Sequence, residues 1–466
     1  MQPRLISEIP GPAPVKSIIQ VLGFMRQYEV DAIALLVDSF ARYGDVHKYE
    51  IMGSNNVQIA HPEHIHQVLV AQAGKFGKDD TYTDPDKGLA RFMGTGLVTS
   101  NGDFWRRQRK LMQPAFHHQR IMGYADTMIR LTNRLIDEWT RQTASGALIV
   151  DVDRAMMRLT LEIVVESLFG ADMTRDAERI FHSVNVLQEF SSTTNLFPTW
   201  VPTPLELRTR RALRDLDEIM YRLIAERRAD PGERHDLLAM LLEAETEDGE
   251  RMTDRQIRDE LVTIFFAGHE TTANALNWTW YALHHHPEKA AALRSEADAV
   301  LGGRTPTLED VRRLTYTEQV IKETMRVYPP VYGISRVALE DVEVGGYLLP
   351  KGTRVGIINY VTQRDPRWWG EDAAEYRPER WTADYEKALP RYAYLPFGGG
   401  PRICIGNMFA MMEAQLILAM LAQRFELALS PGQRVEFDAK ITLRPKDGLP
   451  MRVAQRVIEP NTLELA

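Results

Sequence analysis

From Asp254 to His286 no proline interrupts the chain, and Pro287 closes the run. Thr253-x-x-Gln256 ahead of it has the spacing of a capping box. A continuous helix over this stretch is about 50 Å long at 1.5 Å per residue. A rod of that length crosses a whole domain, so the rest of the chain must pack around it. Its middle reads Ala267-Gly268-His269-Glu270-Thr271-Thr272, with small residues and hydroxyls where a buried helix would carry leucines. Gly268 thins the helix there, and Thr271 or Thr272 can divert a backbone carbonyl, so a local bulge is expected. Taken alone, the segment reads equally well as a Gly/Thr kink in a core helix. His269-Glu270 lacks the second histidine of a zinc-protease helix, because position 273 is Ala273. His284-His285-His286 lies where imidazoles complement a helix C-terminus and reads as surface.

A second stretch, Phe397-Gly-Gly-Gly-Pro-Arg-Ile-Cys-Ile-Gly406, holds the chain's only cysteine. Three consecutive glycines make a loop that takes positive φ and lies flat against something large. Beyond Cys404, Asn407 to Ala422 is apolar on nearly every face, the pattern of a buried helix. Cys404 therefore stands just before a helix N-terminus, which favours a thiolate. Such a thiolate can ligate a metal or act as a nucleophile, and a lone cysteine is also commonly a buried structural one.

Hydrophobic residues are 44% of the 466 and charged residues 26%, which allows a substantial core. The net charge of −8 argues against a nucleic-acid partner. One cysteine forms no internal disulfide, consistent with a reducing, cytoplasmic setting. Paired-cysteine metal sites and Cys-x-x-Cys-His haem attachment are excluded for the same reason. Ile18–Met25 and Ile33–Val37 are too short and interrupted to cross a bilayer, so no membrane anchor is expected. Repeats, low-complexity tracts and an interdomain linker are absent. Residues 1–466 read as one domain, mostly α with small β-sheets. About residues 1–75 form a β-containing N-terminal part, and about 76–466 a helix-rich remainder. Tyr43 to Val70 gives short strands and then a helix from Glu63.

Four further patterns are weak singly. Trp105 and Arg109 lie four apart on one helix face, beside Arg106, Arg107 and Lys110. By itself this is a basic solvated face anchored by a tryptophan. Glu323-x-x-Arg326 precedes Pro329-Pro330 and reads alone as an ordinary helix salt bridge. Tyr376-Arg-Pro-Glu-Arg380-Trp381 follows. Ile334-Ser335-Arg336 and the stretch from Val342 to Val355 alternate like a hairpin sheet.

Together, Phe397, Gly400, Arg402, Cys404 and Gly406, the Ala-Gly-His-Glu-Thr-Thr helix, Trp105/Arg109, Glu323/Arg326 and Arg380 resemble the cytochrome P450 haem-thiolate monooxygenases. The resemblance spans about Gly96 to Val453, and the nearest likeness is to soluble bacterial members similar to the fatty-acid and eukaryotic-type enzymes. It implies the P450 fold, with the long helix over a haem b (iron protoporphyrin IX) and the cysteine loop beneath it. Cys404 becomes the axial iron ligand, pushing electron density toward bound oxygen. Trp105, Arg109, Arg336 and Arg402 are implied to hold the haem propionates. Phe397, Gly398, Gly406 and Ala267 are implied to line the cofactor, with Phe397 near the sulfur. Glu270 and Thr271 are implied to relay protons. Glu323, Arg326 and Arg380 form a structural triad.

The activity implied is O2-dependent hydroxylation, with two electrons from a separate ferredoxin or flavoprotein, since no fused reductase is visible. The basic residues around Trp105 suit an acidic electron donor. A haem-thiolate peroxygenase or isomerase is the alternative; such enzymes often lack the acid–alcohol pair present here as Glu270-Thr271. A haem-based sensor would have no use for that pair. Tyr82–Leu97, Leu187–Pro204 and Pro330–Ile334 are the candidate pocket segments, with Leu97, Val331, Phe266 and Ala267 as lining residues. Leu196 to Val201 is apolar and proline-broken, which favours an apolar fatty-acid or terpenoid substrate.

Overall fold

In a computed structural model of the chain, the described residues are 3–456 apart from 87, 172–175, 193–197, 233–235, 246–248 and 250. The fold is mostly helical with small sheets. Its longer helices are α1 (Ile18–Tyr43), α2 (Gly102–Met112), α3 (Ala125–Gln142), α4 (Val152–Phe169), α5 (Ala177–Ser192), α6 (Pro204–Ala229), α7 (Asp254–His285), α8 (Pro287–Leu301), α9 (Thr315–Val327) and α10 (Asn407–Arg424). The strands used below are β1 (Val46–Ile51), β2 (Ser54–Ile59), β3 (Phe76–Gly77), β4 (Ile334–Ala338), β5 (Arg354–Ile357), β6 (Phe437–Ala439) and β7 (Leu443–Pro445).

The expected long helix is α7. Thr253 caps it with the reciprocal Gln256 contact of a capping box. Packing against α4 is close at Gly268, where an added Cβ would lie 3.0 Å from Val164. On its other side α7 meets α9 and α10. Every residue of α10 from Met412 to Gln423 is buried, as an all-round apolar helix requires.

Two local expectations change. The sequence reads Ile18–Met25 and Ile33–Val37 as separate apolar pieces, but one helix, α1, carries both across a kink at Asp31. The anticipated bulge in α7 is absent: the segment stays helical from end to end. Hydroxyls bond its carbonyls without breaking it, Thr271 to Ala267 (2.8 Å) and Thr160 of α4 to His269 (3.0 Å).

The largest sheet runs β1-β2-β5-β4-β3, with β2 and β5 parallel and the other neighbours antiparallel. It joins strands from residues 46–77 to strands from beyond α9, and β4 brings Arg336 to the protein interior. Leu196 and Phe197, part of the expected apolar lid, lie outside the described residues. Among the described residues no helix is long and apolar enough to cross a membrane. His284 accepts from the Leu429 N–H and His286 stacks on Tyr376, so the histidine run serves packing.

Candidate active site

Between Ile257 and Trp280 every residue of α7 is buried except Ala267, Gly268 and Thr271. Exposed surface in the middle of a central helix means that these three line an interior cleft. Thr271 and Ala267 are one turn apart and share a face. Phe266 points elsewhere: it is buried against Phe92, with ring centroids 4.9 Å apart. Leu97 is buried in the same core cluster, and Val331 is half-buried with its carbonyl bonded by Asn359 (2.6 Å).

The cysteine loop leads directly into α10. Gly400 has φ +65° and its backbone lies so near Leu69 that a Cβ would fall 1.8 Å from the Leu69 carbonyl oxygen. Only glycine fits there. Gly398, at φ +70°, leaves its face open, with nothing within 4 Å of a Cβ built on it. The Cys404 N–H donates to the Phe397 carbonyl (2.9 Å) and closes the loop.

Cys404 has accessible surface, yet enough protein surrounds it that burial pushes its thiol pKa up. Both descriptions suit a group on the wall of an interior cleft, and neither suits a surface thiol. The Gly406 N–H and the charge of Arg109 pull the other way, toward a thiolate. Arg109 itself donates to the Ile403 carbonyl (2.8 Å), so it braces the cysteine loop from α2.

Three cations converge beside this loop. Lys78, Arg336 and Arg402 repel one another strongly enough to add to the lowering of the Lys78 and Arg402 pKa values that burial causes. Arg402 comes down to about 10. Among the described residues, Asp79 is the one carboxylate pulling Lys78 the other way. Arg402 lies over the Trp105 ring (4.1 Å) and donates to Ser100 O and Asn101 Oδ1, each 3.1 Å away. Asn101 also brackets the Lys78 backbone, accepting from its N–H (2.8 Å) and donating to its carbonyl (3.0 Å). A largely enclosed cluster with this excess of positive charge, in which Arg336 is buried and Lys78 and Arg402 are half-buried, suits an anionic guest.

Glu270 does not sit beside Thr271 on the cleft wall. Its carboxyl is buried and accepts from the Thr442 hydroxyl just before β7, with Gln188 of α5 and the charge of Arg444 close by. Burial raises its pKa. His269 is buried and neutral, its pKa lowered to about 4 by burial, with Nδ1 against the Phe265 carbonyl.

The cytochrome P450 family model matches residues 10–449. The chain is a cytochrome P450. Cyclooctatin synthase of Streptomyces melanosporofaciens is 37% identical to it over 86% of this chain and 85% of that protein. Pentalenene oxygenase of Streptomyces avermitilis is 32% identical over 90% and 92%, and cytokinin hydroxylase of Arabidopsis thaliana 33% over 80% and 73%. Family membership makes this P450 a haem monooxygenase that uses O2, a substrate and a redox partner.

The residues present fit a haem. A largely enclosed thiol receives a backbone N–H, the same loop has an open glycine face, and Lys78, Arg336 and Arg402 together outnumber the nearby Asp79 and could pair with two acidic side groups. Behind the loop, the P450's buried Glu323 accepts five hydrogen bonds: two from Arg326, and one each from Arg380 Nε, the Arg377 N–H and Trp381 Nε1. All five N–H groups of Arg326 are used, three on the carbonyls of Gln363, Ala373 and Glu375. Gln363 in turn accepts from the Leu395 N–H (3.1 Å), next to the cysteine loop.

Sequence pattern alone does not point to Lys78, Asn101, Gln363 or Thr442. Lys78-Asp79-Asp80 looks like a surface turn, and its partners are distant in the chain. The surface hollow of about 490 Å³ along α1 gathers none of the candidate site residues.

Proposed function

We propose that this P450 binds haem b through the Cys404 thiolate and hydroxylates an apolar, terpenoid-like small molecule. The observation that carries the reading is accessible surface on Ala267 and Thr271 in an otherwise buried stretch of α7, together with accessible surface on Cys404, whose thiol is nevertheless largely surrounded by protein. When bound, the haem supplies O2 activation and the oxidation of a C–H bond.

The chain's own residues do the rest. Lys78, Arg336 and Arg402, with Trp105 beneath Arg402, hold the two propionates, and Arg109 keeps the thiolate loop in place. Gly406 and Arg109 stabilise the sulfur's negative charge. Ala267 would leave room for the cofactor, and the Thr271 hydroxyl, which at rest donates to the Ala267 carbonyl (2.8 Å), would turn away from it to present a proton. Glu270, whose carboxyl pKa burial raises, is the store from which Thr271 is reloaded. Its observed bond to Thr442 is the resting position, and delivery requires its side chain to turn toward Thr271.

Electrons come from a separate acidic ferredoxin or flavoprotein. It docks on the exposed Arg106, Arg107 and Lys110 of α2, beside the exposed Ile403 and Met408. The names of the two Streptomyces relatives, cyclooctatin synthase and pentalenene oxygenase, support a terpenoid substrate. The test is a screen of sesquiterpenes, diterpenes and fatty acids for a low-to-high spin shift, followed by turnover under ¹⁸O2 with a surrogate ferredoxin system. One labelled oxygen per product from a terpenoid supports the reading. Turnover with peroxide alone, and none with O2 and electrons, would favour a peroxygenase.

A further inference from the structure

The face of α7 that carries Ala267 and Thr271 runs on, wholly buried, toward the helix N-terminus. Glu260 lies seven residues before Ala267 and eleven before Thr271, two and three turns back on nearly the same azimuth. It is fully buried. One carboxyl oxygen, Oε2, accepts from the Leu97 N–H (3.0 Å), while Oε1 is buried with no partner. One turn on, the hydroxyl of Thr263 is also buried without a partner. The neighbouring Asp259 is fully accounted for, accepting from the Thr95 N–H (2.9 Å) and from Arg258 (3.0 Å).

The segment Gly94–Leu97 lies flat on this part of α7. A Cβ at Gly96 would come within 2.1 Å of the Thr263 hydroxyl, and one at Gly94 within 2.1 Å of the Asp259 carboxylate. Burial, with Asp259 adding to it, holds Glu260 protonated to about pH 8. It therefore offers an O–H donor that nothing accepts, beside a second unpaired hydroxyl. Two unsatisfied polar groups in an apolar surrounding that includes Phe92, Phe266 and Leu97 are costly unless a guest completes them.

We propose that Glu260 and Thr263 bind a neutral oxygen function of the substrate, a hydroxyl or carbonyl, and so fix which end of an elongated apolar molecule lies near Thr271. This rests on the reading of the cleft as an apolar substrate site. A carbonyl oxygen accepts from both groups; a hydroxyl accepts from one and donates to the other. A carboxylate is disfavoured, because it would be buried next to the Asp259 charge. The spacing along α7 places the anchored oxygen, held between Glu260 and Thr263, about 6–10 Å from Ala267 and about 12–16 Å from Thr271. That span suits a C15–C20 skeleton carrying one oxygen already, so a prior oxygenation or a hydrolysis supplies this enzyme's substrate.

Spin-state titrations of the haem-loaded enzyme with phytane, phytanol and phytanic acid test the assignment. These probes share one C20 isoprenoid skeleton and differ only at its end. We expect phytanol to bind at least tenfold tighter than the hydrocarbon or the acid. Thr263→Val and Glu260→Leu should bring the alcohol to within about twofold of the hydrocarbon, and Glu260→Gln, which still donates and accepts, should keep most of the preference. Should Glu260→Leu fail to take up haem, Thr263→Val carries the test. Equal binding of all three probes, or variants that keep the preference for the alcohol, would overturn the anchor and leave the apolar cleft standing. Binding by none of the three would overturn both.

Discussion

Removing the Glu323 carboxylate should cost this P450 about 3–5 kcal/mol, the usual penalty for deleting one partner of a buried ion pair. The structure argues for the lower half of that range. Glu323→Ala strips five hydrogen bonds and leaves the guanidinium groups of Arg326 and Arg380 buried without their shared counter-charge. Arg326 nevertheless keeps three carbonyl acceptors, and Arg380 keeps Asp372. Unfolding entropy of about 2.1 cal/mol/K per residue over 466 residues amounts to about 1 kcal/mol/K, so the thermal midpoint should fall by about 3–4 °C. Because Gln363 connects the Arg326 carbonyl bonds to Leu395, the variant should also retain less haem. Calorimetry and haem content per polypeptide measure the two effects. A midpoint within about 1 °C of wild type with full haem content would refute the claim that the triad holds the cysteine loop in place.

Lys78→Met should weaken cofactor retention by about tenfold, by removing one charge-assisted contact, and haem transfer to apomyoglobin reads it; unchanged transfer would remove Lys78 from the propionate site. Thr271→Ala should leave spin-state titrations unchanged and lower product formed per electron consumed by about 10²-fold, the low end for one proton-transfer group; unaltered coupling would exclude Thr271 from proton delivery. Glu260 titrates near 8 in the fold, against 4.5 unfolded. The folded protein therefore binds a proton that the unfolded chain releases, and this contribution is full below about pH 4.5 and lost as the pH rises toward 8. Urea unfolding near pH 5 and near pH 8 should show wild type losing stability relative to Glu260→Gln as the pH rises, with a slope of at most about 1.4 kcal/mol per unit. A pH-independent difference would mean that Glu260 is charged throughout.

What is legible in the sequence is what backbone geometry demands of residue types. Gly400 must be glycine because of its φ and the nearby Leu69 carbonyl, and the α7 run needs only a cap and no proline. The cysteine loop and the long helix are therefore readable from residue order alone. Patterns that depend on burial are opaque. Glu323 and Arg326 have the spacing of a surface pair and are wholly buried, and only the distant Arg380 hints at it. The continuity of α1 is hidden because Asp31 interrupts its pattern and Ile18, Ile19 and Val30 face outward, against the rule that apolar residues mark the inner face. The absent bulge in α7 has a similar lesson: threonine hydroxyls can bond helical carbonyls without opening the helix. Contacts between remote segments, such as Lys78 with Arg336 and Arg402, or Glu270 with Thr442, leave no local signal at all.

The central claim is thiolate ligation by Cys404. The reduced carbon-monoxide difference spectrum of wild type and Cys404→Ser tests it most directly. The account predicts a strongly red-shifted Soret band in wild type that the variant loses. An unshifted band, or a shifted one that survives the substitution, would contradict it.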